Sequence, residues 1–347
     1  MSTEDKARVA NIFDVARLAG VSHQTVSRVL NDLPNVRPAT RTRVEDAIKQ
    51  LRYRPSTAAR SLVTRRSRTI GLITTGNPDY GPSSILLGFT EAARNARYLV
   101  SISSMLETDV ASMRAAVELL LSQNVEAIVL IAAHRGALEA IQGIDLGVPL
   151  IAVESSGRVG FHSVSIDQFR GAYDATEHLI GLGHRSILHL AGPEDSMDAT
   201  ERVRGWRAAL SEHGLVALEP LVGDWSPGSG YRLGQLYAAD PARSFTALFV
   251  ANDQMALGAM HAFSQAGIRI PQDVSVIGFD DIPEAEHLTP PLTTIRQDFS
   301  ELGATVMSTL LELILDGTLE EAKHPVPHLV VRESTAPAPA PGPTPAP

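Results

Sequence analysis

The sequence predicts a small all-α N-terminal domain followed by an α/β body of two doubly wound parallel-sheet subdomains. Three observations carry that expectation. Residues 11–51 hold short stretches of apolar residues at helical spacing, broken by Gly20 and Pro38. From Thr69 onward, short apolar runs alternate with longer helical patterns. The charge is also uneven: the first 68 residues hold 14 Lys and Arg against 6 Asp and Glu, net +8, and the other 279 hold 16 against 33, net −17.

At 347 residues the chain is long enough for two to three domains with sizeable cores. The sequence has no cysteine, which excludes disulfides and cysteine-ligated metals and fits a reducing compartment. The opening MSTEDKARVANIFDVARL lacks the apolar core of a secretion signal, and no run of about 18 apolar residues follows anywhere. A cytoplasmic protein that does not engage membranes is expected. A basic head on an acidic body suits a chain whose one end meets phosphates, although a solvated basic surface fits the same count.

In the head, Asn11 is placed to cap a first helix with Asp14 three residues on, and Val15, Ala16 and Ala19 form its inner stripe before the turn at Gly20. Ser22 then caps a second helix in which Val26, Val29 and Leu30 face inward. His23, Gln24, Thr25, Ser27 and Arg28 are left on its outer face or first turn. Pro38 opens a third helix with Val44, Ala47, Ile48 and Leu51 inside and Arg41, Arg43 and Lys49 outside. Two helices joined by a glycine turn and followed by a third make a helix-turn-helix unit, whose second helix enters the major groove of double-stranded DNA. There Gln24 can offer its amide to adenine and Arg28 can reach guanine or a phosphate. A small helical bundle with a polar surface is the plain alternative.

IFDVARLAGVSHQTVSRVLND followed by TRTRVEDAIKQLRYRPSTAARSL resembles the DNA-binding head of the LacI/GalR family of bacterial transcription regulators. The resemblance implies that Ser22 to Asn31 form the recognition helix, with His23 and Gln24 choosing operator bases. It also implies that PSTAARSL, residues 55–62, is a hinge helix that forms on DNA, with Leu62 wedged into the minor groove beside Ala59. Ser56, where the family often has Asn, and Arg37, where a better helix cap is common, depart from the pattern. The implied divisions are a helix-turn-helix domain over 1–55, hinge and linker over 56–68, and an effector-binding and dimerisation body over 69–334.

In the body, TIGLITT, YLVSISSM, AIVLIAA and PLIAVES form one set of strand-like runs, and SILHLAG, ALFVAND and VSVIGFD a second. LTTIRQD and HLVVRES come late and are available to cross back between the two. Ligands of open parallel sheets sit beyond the carboxyl ends of the strands, and polar residues stand there: Glu154, Asn252 with Asp253, and Asp280 with Asp281. Arg202 lies on the helical stretch after SILHLAG, and Trp225 in GDWSPG. Carboxylates, an amide and a guanidinium bind vicinal hydroxyls, and an indole face suits a sugar ring. Taken singly, the acids read equally well as helix caps, Arg202 as a surface ion pair and Trp225 as core.

The resemblance continues through DATERVRGW, GDWS, VANDQMALGAM and PPLTTIRQDF, and so spans about residues 11–334. It implies a body of periplasmic-binding-protein type with inducer contacts at Glu154, Asp198, Arg202, Trp225, Asn252, Gln254, Asp280, Gln297 and Phe299, and an apolar wall at Pro82 and Ile85. Glu154 replaces an Asp, Asp198 a Ser and Ile131 an Asn, which changes the hydroxyls the pocket reads.

GSGYRLG at 228–234 has the wrong spacing for a dinucleotide loop, and no metalloprotease, P-loop or nucleophile-elbow motif occurs, so no enzyme, metal or cofactor is expected. His184 reads as turn chemistry. TAPAPAPGPTPAP, residues 335–347, has six prolines and reads as a disordered extended tail without the leucine heptad that makes some relatives tetramers, hence a homodimer. The expected function is a dimeric repressor released from its operator by a sugar, a galactoside or related saccharide. The rivals are a regulator strengthened by a purine-type corepressor and a transporter's solute-binding protein.

Overall fold

The computed structural model describes residues 10–30, 32–53, 66–75, 79–132, 134–155, 162–239, 245–316 and 324–339. The chain divides into two compact units, Met1–Arg68 and Thr69–Pro347.

In the first unit, α1 (Ile12–Ala19) starts from a reciprocal cap: the Asn11 side chain accepts from the N–H groups of Phe13 and Asp14, and the Asp14 carboxylate accepts from the Asn11 N–H. It ends at Gly20, whose φ of 65° lies in the left-handed region that a residue without Cβ enters freely. α2 (His23–Leu30) begins at Ser22, whose hydroxyl accepts from the Thr25 N–H. α3 (Pro38–Gln50) has proline in its first turn, and Arg37 supplies no side-chain cap. Val15, Ala16, Ala19, Val26, Val29, Val44 and Ala47 are buried together, with Leu30, Ile48 and Leu51 half-buried around them.

The second unit contains two sheets. The first runs β2-β1-β3-β4-β5, from β1 (Thr69–Thr75), β2 (Leu99–Met105), β3 (Ala127–Ile131), β4 (Leu150–Val153) and β5 (His162–Val164), all parallel. The second runs β11-β10-β9-β8-β6-β7, from β6 (Ile187–Ala191), β7 (Leu221–Val222), β8 (Ala247–Val250), β9 (Ser275–Asp280), β10 (Thr293–Arg296) and β11 (His328–Val330), parallel except for β11 against β10. β5 and β7 carry no run of their own in the sequence. They are two- and three-residue edge strands, too short for a periodic signal.

Helices cover both faces of each sheet, so alternate residues of one strand enter different cores. On the first sheet, Ile70 and Leu72 pack with α4 (Tyr80–Asn95), while Ile73 packs with α5 (Val110–Ser122) and α6 (Arg135–Ile141). On the second, Ala247 and Phe249 face α7 (Gln168–Gly181) and α8 (Met197–Glu212). Leu248 and Val250 face α9 (Pro227–Ala239) and α10 (Asp253–Gln265).

The late element that crosses back is a helix, not the late strands, which both stay in the second sheet. α11 (Phe299–Asp316) returns to the first subdomain and buries Leu302, Val306, Met307 and Leu310 beside Phe89 of α4. It lies so close that a Cβ on Gly303 or Gly88 would strike the other helix's backbone.

The C-terminal segment also corrects an expectation. Residues 335–339 are not loose. Thr335 bonds His178 and Thr293, Ala336 bonds Ser275 and His184, and the Ala338 N–H donates to the Leu182 carbonyl. His184 is accordingly a buried joint among Thr246, Ser275 and the Ala336 carbonyl rather than a turn residue. Residues 340–347 lie outside the described residues.

Candidate functional site

The outer side of α2 is exposed. His23, Gln24 and Arg28 are exposed, as is Ser22 ahead of the helix, while Thr25 and Ser27 are half-buried. The hydroxyls of Ser22 and Thr25 are 3.0 Å apart, and the His23 ring lies 5.2 Å from that of Phe13, itself 58% exposed. Arg41 of α3 is committed to Asp32 at 2.7 Å. Asn31, Ala59 and Leu62 lie outside the described residues.

In the body, both sheets reverse direction across one strand pair, β1/β3 in the first and β6/β8 in the second. Such switch points leave a crevice beyond the strands' carboxyl ends. The two crevices face one another and form a single cleft with about 760 Å³ of empty space, its open mouth included. Asp79 and Tyr80 follow β1, Ile131 and Ala132 end β3, Glu154 and Ser155 follow β4, Ser196 and Asp198 follow β6, and Asn252 follows β8.

The second sheet's wall is a closed circuit of polar side chains. Arg202 donates from Nε to Gln168 at 2.9 Å, Gln168 donates to Gln297 at 2.8 Å, Gln297 donates to Asp280 at 2.7 Å, and Asp280 faces Arg202 at 3.6 Å. Arg202 also donates to the Ala251 carbonyl, and its guanidinium lies 3.9 Å over the Phe279 ring and 5.4 Å over the Trp225 ring. Burial pushes the Asp280 carboxyl up to about 6 against the pull of Arg202. Beneath it, fully buried Asp253 accepts from Thr294 at 2.6 Å and from the Ile282 N–H at 3.0 Å. Burial, with the neighbouring Asp280, pushes the Asp253 carboxyl well above its ordinary value. Asp280, Asp281 and Trp225 all have positive φ, 110°, 55° and 69°, an arrangement that costs backbone energy and gathers at binding sites.

The opposite wall carries Glu154, which is 3% exposed, with Ser155, Pro82, Ile85 and the edge-to-face pair Tyr80 and Phe299 at 5.9 Å. Ser155 donates across the cleft to Asp198. Trp225 lies against Gly192, where any Cβ would strike its ring.

Of the expected effector residues, Ile85, Glu154, Asp198, Arg202, Trp225, Asn252, Asp280, Gln297 and Phe299 line this cleft together. Gln254 does not. Successive helix positions point about 100° apart. Asn252 caps α10 and ties to the Trp225 carbonyl, Asp253 turns into the sheet, and Gln254 faces a third way. Asp79, Tyr80, Ser155, Ser165, Gln168 and Ser196 line it without having been singled out. Gln168 carries a weak signal, a polar residue in the first turn after a segment that changes subdomain. Among the described residues, no group of side chains could hold a metal ion, and no helix is long and apolar enough to cross a membrane.

A helix-turn-helix head with an exposed polar second helix, joined to a cleft-bearing pair of parallel sheets, defines a DNA-binding regulator with an effector-binding domain. Residues 11–56 match the bacterial regulatory proteins of the lacI family, and residues 176–335 match the periplasmic binding protein-like domain. The chain is 36% identical over 304 residues to the lactose operon repressor of Escherichia coli K12, covering 87% of this chain and 84% of that protein. It is 35% identical over 347 residues to the transcriptional regulator CelR of Thermobifida fusca, covering 92% and 96%. A solved lac repressor dimer bound to operator and the anti-inducer ONPF superimposes with a TM-score of 0.85 at 34% identity, covering 95% of this chain and all of that one. A CelR–cellobiose complex gives 0.69 at 32% identity over 94% and 99%. This chain belongs to the LacI family: a DNA-binding transcriptional regulator, not an enzyme.

Proposed function

We propose that this protein is a homodimeric repressor that a saccharide, bound between its two subdomains, releases from operator DNA. The observation that carries the sugar reading is the cleft itself: polar side chains on both walls, Asp280, Gln297 and Gln168 on one and Glu154 on the other, together with the aromatic surfaces of Trp225, Tyr80 and Phe299. Hydroxyl pairs suit the polar groups and the C–H face of a pyranose the rings. The relatives add support, since one structure is a cellobiose complex and others are named for lactose and ribose operons. A purine-type corepressor would meet the same aromatic surfaces but leave most of the carboxylates unmatched.

In this reading the head, residues 1–55, presents Ser22, His23, Gln24, Thr25, Ser27, Arg28 and Asn31 to one half-site each time. Residues 56–68 form the hinge with Ala59 and Leu62 at the minor groove, and residues 69–334 bind the effector and the second copy. Exposed Leu99, Ile102, Leu106, Val110 and Leu119 along the β2 edge and α5 supply apolar surface for that contact. A regulator of this kind acts in the cytoplasm, where the operator is. Release follows when the sugar prefers the subdomain orientation in which the paired hinges cannot form.

The test is a gel-shift on the gene's own upstream region with a panel of mono- and disaccharides and purines. Loss of the shifted band with a sugar is expected; strengthening of the band by a purine overturns the reading.

A further inference from the structure

Residues 195–198, between β6 and the first turn of α8, belong to the second subdomain but are fastened to the first. The Asp195 carbonyl accepts from the Arg135 N–H at 3.1 Å, and Ser155 donates to Asp198. Arg135 is the first residue of α6, and a first-turn N–H has no partner within its own helix. Between these two points stands Met197, 3% exposed, whose side chain is not in a core of its own subdomain. It joins the cluster that Ile73, Met113, Leu130, Ala132 and Leu138 form in the first. Tyr80, the first residue of α4, makes the reverse exchange and packs against a core of the second subdomain. The two differ in what else they meet. Tyr80 lines the cleft, whereas Met197 turns away from it between Ser196 and Asp198, which do line it.

We propose that Met197 is an apolar latch that sets the balance between the two orientations of the subdomains without touching the effector. The proposal rests on the switch described above, of which it takes only that subdomain orientation governs operator binding, and it needs no particular effector. Arg202, on the same helix as Met197, is locked into the second subdomain's wall through Gln168, Asp280 and the Ala251 carbonyl, so α8 moves with its own subdomain. A rotation of the subdomains about the cleft therefore draws Met197 from the core of the first and returns apolar surface to water, at a cost that grows with the area exposed. An unbranched thioether suits such a joint, because it adapts to an irregular socket more readily than a branched side chain does. Ser196 and Asp198 share the backbone of Met197, so a ligand that displaces them works against the latch. A contact in the cleft becomes a change of orientation by that route.

The experiment compares full-chain Met197→Ala and Met197→Leu with Leu120→Ala, a cavity in the same core whose side chain lies against Gly71 near the start of β1, at the end of that strand away from the cleft. Amide hydrogen exchange is measured on the effector-free proteins. In Met197→Ala the Arg135 amide is expected to exchange about tenfold faster or more relative to the amides of β3, because its bond to Asp195 opens when the latch is lost. In Met197→Leu and Leu120→Ala that ratio is expected to stay within about twofold of the parent's. Gel-shifts then use an operator selected from random DNA with the parent protein. Operator affinity is expected to change about tenfold in Met197→Ala and to stay within about twofold in the other two. An unchanged Arg135 ratio in Met197→Ala overturns the latch and leaves the switch standing. A raised ratio with operator affinity unchanged means that subdomain orientation does not govern operator binding, and the switch falls together with the latch. If Leu120→Ala alters operator affinity as much as Met197→Ala, Met197 is ordinary core packing and the proposal is overturned.

Discussion

Replacing Asp280 by Asn gives a pH signature that can be worked from the structure. Asp280 is buried, and its carboxyl is held at about 6 against an ordinary value of 3.8. The folded protein therefore holds this proton more tightly than the unfolded chain. The stability that the proton contributes is complete below pH 3.8 and is lost as the pH rises through 6. With those two values, ionised Asp280 costs the folded state about 3 kcal/mol at pH 7 and about 1 kcal/mol at pH 4.5. Asp280→Asn removes the titration. The attraction of Arg202 for ionised Asp280 is already contained in the value of about 6, so its loss adds no second pH-dependent effect, and Arg202 keeps its bonds to Gln168 and the Ala251 carbonyl. Histidines that titrate the other way, such as His189, which burial pushes down to about 3, are common to both proteins and cancel. The stability of the variant relative to the parent should rise by about 2 kcal/mol from pH 4.5 to 7. Urea unfolding of the full chain, followed by the fluorescence of Trp206 and Trp225, measures it. A difference that is flat or falls over that interval refutes the account of Asp280 as an acid strained by burial.

Gly192→Ala should displace the Trp225 ring and weaken saccharide binding about tenfold or more while leaving operator binding intact, as read by calorimetry and gel-shift. Ser334→Ala removes a buried hydroxyl that accepts from the Thr293 N–H at 2.8 Å and donates to the Val276 carbonyl at 2.6 Å. A loss of about 1–3 kcal/mol is expected in urea unfolding, because both backbone groups are left unmatched; an unchanged midpoint means that water replaces the hydroxyl. Gln24→Ala should lower discrimination at one base pair of each half-site by about 1–3 kcal/mol. An operator selection with the same preference for variant and parent removes Gln24 from base reading.

The parts of the fold that were legible in the sequence are those decided locally. Asn11, Asp14 and Gly20 write both ends of α1 within ten residues, and the all-apolar runs of β3 and β8 announce strands buried on two faces. The crossing-back of α11 was not legible, because its fit to α4 through Gly88 and Gly303 joins positions more than 200 residues apart. The docking of residues 335–339 was hidden for a similar reason. Their composition reads as a loose tail, but the partners that hold it, His178, His184 and Ser275, come from a helix, a connection and a strand far away in the sequence. Within the cleft, acids at strand ends stood out because the carboxyl-end rule points at them. Gln168 and Ser155 did not, since their roles are set by what lies across the cleft from them.

The two walls of the cleft differ in how they are held, and that difference assigns them different work. Asp280, Gln297, Gln168 and Arg202 all belong to the second subdomain and bond one another without a ligand. A sugar that meets them finds them already ordered, in either orientation of the subdomains, so they contribute affinity to both states and little to the choice between them. Glu154 and Ser155 belong to the first subdomain, and Ser155 reaches the second only through Asp198. Contacts made there exist only when the cleft is shut, and a ligand shifts the equilibrium by no more than its differential affinity for the two states. Gln297→Ala should therefore raise the saccharide concentration needed for half-release while leaving the maximal release unchanged. Ser155→Ala should change the maximal release and the basal operator affinity together. A titration of operator binding against saccharide for both variants separates the two, and identical curves for them would place the switch outside this cleft.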